Sequence, residues 1–134
     1  MKRWLAMCGL IAVALGSAQA AGLPYLWDII KKPAYKHSID MIVAGQPVEP
    51  WVKGFLNGAD GVSGPGKNVT VGYAEYELYD VCQPHNCGGN YLYVLFTPGG
   101  GQAWAVFMKD GNIVRYYGHP DSASRKVLSD ATTQ

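Results

Sequence analysis

Asp80-Val81-Cys82-Gln83-Pro84-His85-Asn86-Cys87-Gly88-Gly89-Asn90 is the stretch on which the reading of this chain turns. Two cysteines bracket four residues, with Pro84 and His85 at the centre. Gly88, Gly89 and Asn90 follow, residue types that close turns. Apolar and aromatic residues flank the stretch, from Tyr73 to Leu78 before it and from Tyr91 to Phe96 after it, as expected of strands. The pattern predicts a rigid polar tip joining two strands and presenting His85.

Toward the C-terminus the strand signal continues. Leu92, Val94 and Phe96 alternate with Tyr91, Tyr93 and Leu95, and a turn follows over Pro98 to Gly101. Trp104, Val106 and Met108 alternate again. Asp110-Gly111 marks a tight hairpin before a last strand from Ile113 to Gly118. Such short connections predict an antiparallel meander. His119-Pro120-Asp121-Ser122 then opens a closing helix whose apolar side is Ala123, Val127, Leu128 and Ala131.

Toward the N-terminus, Val69, Val71 and Tyr73 alternate, and Ala74, Tyr76 and Leu78 take the opposite parity. That phase change predicts a bulge or bend near Gly72 to Ala74. Asn57 to Lys67 carries four glycines and Pro65, the composition of a flexible surface loop. It lacks the following helix with lysine and hydroxyl that a phosphate cradle needs. Pro50 opens a short helix with Trp51, Val52, Phe55 and Leu56. Leu23 to Ala44 reads as helical, interrupted at Pro33, with Tyr35, Ile39, Ile42 and Val43 on one face and Gly45 as its stop. His37 falls on the polar side of that helix and His119 in a turn, where solvated or structural roles are expected. The fold class is α+β: an antiparallel meander of four to five strands, N- and C-terminal helices covering one face, and a protruding loop closed by a disulfide.

The chain begins with Lys2 and Arg3, an apolar run from Leu5 to Leu15, and Ala18-Gln19-Ala20. This is the pattern of a signal peptide cleaved after Ala20, leaving 21–134 as a single exported domain. The apolar run is shorter than the roughly 20 residues of a membrane span. Of eleven Lys and Arg, two precede the cleavage site, so nine face ten Asp and Glu and the mature net charge is −1. That balance argues against a nucleic-acid footprint, and no membrane association is expected after cleavage. Cys8 leaves with the signal, so Cys82 and Cys87 remain as an even pair in an oxidising compartment, which predicts a disulfide between them.

Several chemistries compete for the bracketed loop. A zinc site from Cys82, His85 and Cys87 lacks a fourth ligand unless His37 or His119 supplies it. A thiol redox centre is disfavoured by the spacing and by the absence of a following helix. A general base at His85 needs an orienting acid and a pocket. A binding tip needs only rigidity, and closing a loop of this length removes about 2 kcal/mol of unfolded-state entropy before any partner is met. A disulfide that merely ties down a hairpin stands beside that reading. No catalytic residue, metal or cofactor is expected.

Cys82-Gln83-Pro84-His85-Asn86-Cys87, with Asn90 and the strand Tyr91-Leu92-Tyr93-Val94, resembles the signature of the Ivy family, bacterial periplasmic inhibitors of vertebrate (c-type) lysozyme, whose loop reads approximately Cys-Lys-Pro-His-Asp-Cys. The resemblance implies an inhibitor whose loop residues Gln83, Pro84, His85 and Asn86 enter the glycosidase cleft, with His85 against the two catalytic carboxyls. It makes c-type lysozyme the expected partner, a lytic transglycosylase a second one, and a homodimer compatible. A small periplasmic enzyme or ligand-binding protein on the same scaffold is the alternative of a different class. Gln83 and Asn86 depart from the family's lysine and aspartate, and the loss of the acid removes one charge-assisted bond to a partner. Glu75, Glu77 and Asp80 are expected to favour encounter with a basic lysozyme.

Overall fold

The computed structural model describes residues 22–134, and the expected signal peptide with Cys8 lies outside them. In chain order the elements are α1 (Leu26–Ile29), α2 (Pro33–Val43), α3 (Pro50–Leu56), β1 (Lys67–Val71), β2 (Ala74–Cys82), β3 (Tyr91–Phe96), β4 (Ala103–Lys109), β5 (Asn112–Tyr117) and α4 (Ser122–Ala131). The five strands form one antiparallel sheet in the order β1-β2-β3-β4-β5, the meander expected from the short connections. Among the described residues no helix is long and apolar enough to cross a membrane.

Proline and glycine set the helix boundaries. Pro33 opens α2 and Pro50 opens α3, both in the first turn, where the missing N–H has no intrahelical partner to lose. Gly45, at φ 69, sits just past the end of α2. Asp121 caps α4 by accepting from Ser124 N at 2.8 Å, and that bond holds its carboxyl below the usual range. The cap fixes the phase of α4, so its inner face is Ser124, Leu128 and Ala131, with Val127 half-buried and Ala123 exposed.

The helices divide between the two faces of the sheet instead of sharing one. Leu26, Ile29, Ile39, Val52 and Phe55 from the first three helices pack with Tyr79, Val81, Leu92, Val94, Phe96, Ala105 and Phe107. On the opposite face Leu128 and Ala131 of α4 pack with Val71, Leu78, Leu95 and Val106. Strand β3 is apolar on both parities because both of its faces are buried. Tyr35 of α2 donates to Glu77 of β2 at 2.7 Å, and burial, followed by that carboxylate, pushes its pKa up to about 12.

The expected bulge near Gly72 is a hairpin turn. Val71 pairs with Ala74 and Val69 with Tyr76, so Gly72 and Tyr73 alone connect β1 to β2. Cross-strand partners share a face, and a two-residue turn therefore reverses the parity in sequence. Gly72 has φ 61, and Gly at the first central position suits such a turn.

The glycine-rich segment is pinned along β2, where a flexible loop was expected. Val62 and Cys82 exchange two backbone bonds, Cys82 N to Val62 O at 2.7 Å and Val62 N to Cys82 O at 3.2 Å. Gly64 N donates to Asp80 Oδ1 at 3.1 Å. The glycines are required for close approach. A Cβ on Gly66 would lie 2.3 Å from the Tyr79 ring, and one on Gly61 would lie 2.5 Å from Val81. Gly64 has no such neighbour, its nearest contact being Asp80 at 4.0 Å. Gly66→Ala is therefore expected to lower the unfolding free energy by about 1–3 kcal/mol, and Gly64→Ala to change it by less than about 0.5 kcal/mol; urea melts of the two variants measure this directly.

Candidate functional site

The site lies between β2 and β3. Cys82 is the last residue of β2 and pairs with Tyr91, the first of β3, so residues 83–90 form the connection. Gln83 N donates to Asn90 O at 3.1 Å and closes the base of this loop. Within it Cys82 and Cys87 are joined by a disulfide, with Cα atoms 5.0 Å apart. Joined in this way, neither sulfur is available as the thiolate ligand that the zinc reading of Cys82, His85 and Cys87 requires.

Gln83 to Asn86 form a β-turn, with Asn86 N donating to Gln83 O at 3.0 Å. Pro84 occupies the second position, where its fixed φ is already correct. His85 occupies the third at φ 61. This is the type II pattern, which demands a positive φ at the third position and ordinarily takes glycine there. Histidine pays for that position with backbone strain of order 1–3 kcal/mol. His85 and Asn86 are exposed, Gln83 and Pro84 half-buried, so the strained residue is the one displayed. Asn86 Nδ2 donates to Gln83 Oε1 at 3.0 Å, a neutral amide pair that braces the turn beneath the imidazole.

The loop also rests on an element that the sequence reading treated separately. Asn90 is 3% exposed and uses both ends of its amide. Nδ2 donates to Asn86 O at 3.1 Å and Gly88 O at 3.3 Å, while Oδ1 accepts from Asp110 N at 3.2 Å. Gly111 N donates to Gly89 O at 3.0 Å. Asp110 and Gly111 are the turn between β4 and β5, at φ 49 and 81. Gly89, at φ 82, approaches this turn so closely that a Cβ would lie 2.3 Å from Gly111 N. The loop and the β4–β5 turn are thus one hydrogen-bonded unit. The Asp-Gly pair and Asn90 were each legible as turn residues, but nothing local in the sequence signals their contact.

The acids expected to favour encounter lie along β2. Glu77 accepts from the Tyr35 hydroxyl and Asp80 accepts from Gly64 N, while Glu75 sits near the Gly72 end of β2. His37 is exposed on α2, and His119 is an exposed turn residue at φ 53. Neither belongs to the loop assembly. Among the described residues no group of three His, Cys, Asp or Glu side chains is arranged to hold a metal ion. The bracketed loop is an exposed tip, shaped by proline, disulfide and the Asn90 amide.

An uncharacterized protein of Yersinia pestis is 32% identical over 87 residues, covering 64% of this chain and 54% of that protein. The chain thus spans about half the length of that relative. The inhibitor of vertebrate lysozyme of Pseudomonas aeruginosa is 28% identical over an alignment of 138 residues, covering 92% of this chain and 87% of that protein. Residues 54–132, running from within α3 to just past α4 and including the whole loop assembly, match the model of the inhibitor of vertebrate lysozyme family, and the chain belongs to that family, Ivy.

Proposed function

We propose that this protein is exported to the periplasm and inhibits c-type lysozyme by inserting the Cys82–Cys87 loop into the glycosidase cleft. The observation that carries the proposal is His85, a non-glycine residue held at positive φ on the exposed apex of a disulfide-closed turn. Strained positions of this kind cluster at ligand clamps and active sites, and here the strain sits at the apex of a closed loop. Family membership supplies the target class.

The chemistry follows from the two ends of an imidazole. Retaining glycosidases hold an acid and a carboxylate about 5 Å apart. One ring offers a donor and an acceptor nitrogen on different edges, so a single histidine can bond both groups. The acid of such an enzyme stays protonated while its partner is ionised, which matches one acceptor and one donor on His85. His85 then occupies the place of the scissile linkage with no glycosidic bond to cut. Pro84, the disulfide and the Gln83–Asn86 pair settle the ordering cost before contact.

His85→Ala is expected to weaken lysozyme inhibition more than tenfold, about 1.4 kcal/mol or more, with the thermal midpoint preserved, since the side chain is exposed and alanine leaves the turn bonds in place. Titration of a basic c-type lysozyme with residues 21–134 of wild type and variant reads this; equal inhibition would remove the plug mechanism. Reduction of the Cys82–Cys87 bond restores loop entropy of about 2 kcal/mol, and the same titration in reductant is expected to show a loss of up to thirtyfold that reoxidation reverses.

A further inference from the structure

We infer that the β4–β5 turn is a second contact element of the inhibitory surface and that Asp110 is its charged contact for a basic partner. The inference rests on the reading of this protein as a lysozyme inhibitor.

Loop residues Gln83 to Asn90 include no carboxylate, lysine or arginine. Charge complementarity with a basic protein must therefore come from a neighbour. Glu77 and Asp80 keep their charges but are half-buried and turned to Tyr35 and Gly64, and Glu75 lies seven residues of strand from Cys82, about 23 Å away. Asp110 is different. Its own N–H is bonded to Asn90 Oδ1, and its neighbour Gly111 is bonded to Gly89, so it is fastened directly to the loop base. It is exposed. The adjacent cation, Lys109, is taken up by Glu49 at 2.9 Å, an ion pair that raises the lysine's pKa. What remains at the tip is the charge of Asp110.

The lock also fixes geometry. Two hydrogen bonds, Asp110 N to Asn90 Oδ1 and Gly111 N to Gly89 O, together with a backbone approach that excludes even a methyl group, hold the two turns together, and two more from Asn90 Nδ2 brace the loop itself. A partner that receives the Gln83–Asn86 turn in a cleft meets Asp110 on the rim. A rim charge acts chiefly on the association rate and on its salt dependence. Asn90 is the positioning residue that joins the two contacts.

The test uses association kinetics of the 21–134 protein with a basic c-type lysozyme at low salt and at about 0.5 M salt, where the screening length falls to a few ångströms. Asp110→Asn removes the charge, keeps the N–H for Asn90 and tolerates φ 49. It is expected to slow association about threefold at low salt and to match wild type at high salt. Glu75→Gln, the same change of net charge at the far end of β2, is expected to stay within experimental scatter of wild type. If Asp110→Asn and Glu75→Gln behave alike while His85→Ala still abolishes inhibition, this inference is overturned and the plug mechanism stands. If wild type itself fails to bind lysozyme, both fall.

Discussion

Cys82 is held on three sides, and the candidate site depends on that overlap. It pairs with Tyr91 across the sheet, exchanges two backbone bonds with Val62 and forms the disulfide to Cys87. Its position is therefore fixed by the sheet before the loop closes. Once Cys87 is tied to a fixed point, four residues must reverse direction in a short span, and a β-turn with proline second is a low-cost solution. The strain at His85 follows from this geometry. The central strands, packed on both faces at positions such as Val94 and Leu95, bear it.

The loop is neutral and internally paired, which separates its two tasks. Gln83 and Asn86, at the positions where the family pattern places lysine and aspartate, bond each other through their amides. Their bond shapes the turn and leaves the imidazole of His85 exposed. An uncharged turn has a smaller desolvation penalty than an ion pair when it enters a cleft. It also lacks the long-range pull of a charge, so attraction toward a basic partner has to come from carboxylates outside the loop.

The sequence carried the fold wherever a local rule decided the structure. Period-two alternation and the Asp110-Gly111 pair specified the meander and its last hairpin, and the bracketing cysteines marked the tip. The placement of the helices on both faces was harder to read. The signal was there in Leu95 and Val106, which are apolar on the parity opposite Val94 and Phe107, because a strand apolar on both parities has two faces to cover. The inner face of α4 moved from Ala123 to Ser124 because the Asp121 cap, not hydrophobicity, sets its phase. Glycines at 61 and 66 were read as looseness, whereas they serve close packing against Val81 and Tyr79, neighbours that sequence alone does not place beside them. The contact of Asn90 with Asp110 spans twenty residues and arises from two adjacent hairpins ending at the same level of the sheet.

The amide of Asn90 has a further consequence for the independence of the loop. Its three bonds reach the carbonyls of Asn86 and Gly88 and an N–H from a different hairpin. A cyclic peptide copied from Cys82 to Cys87 would keep the ring and the proline but lose every one of those bonds. Its ring would then lack the brace that ties Asn86 and the loop base to the β4–β5 turn. The smallest portable form of this tip is accordingly two hairpins joined by an asparagine, and transplanting it onto another scaffold requires carrying β2 through β5 together.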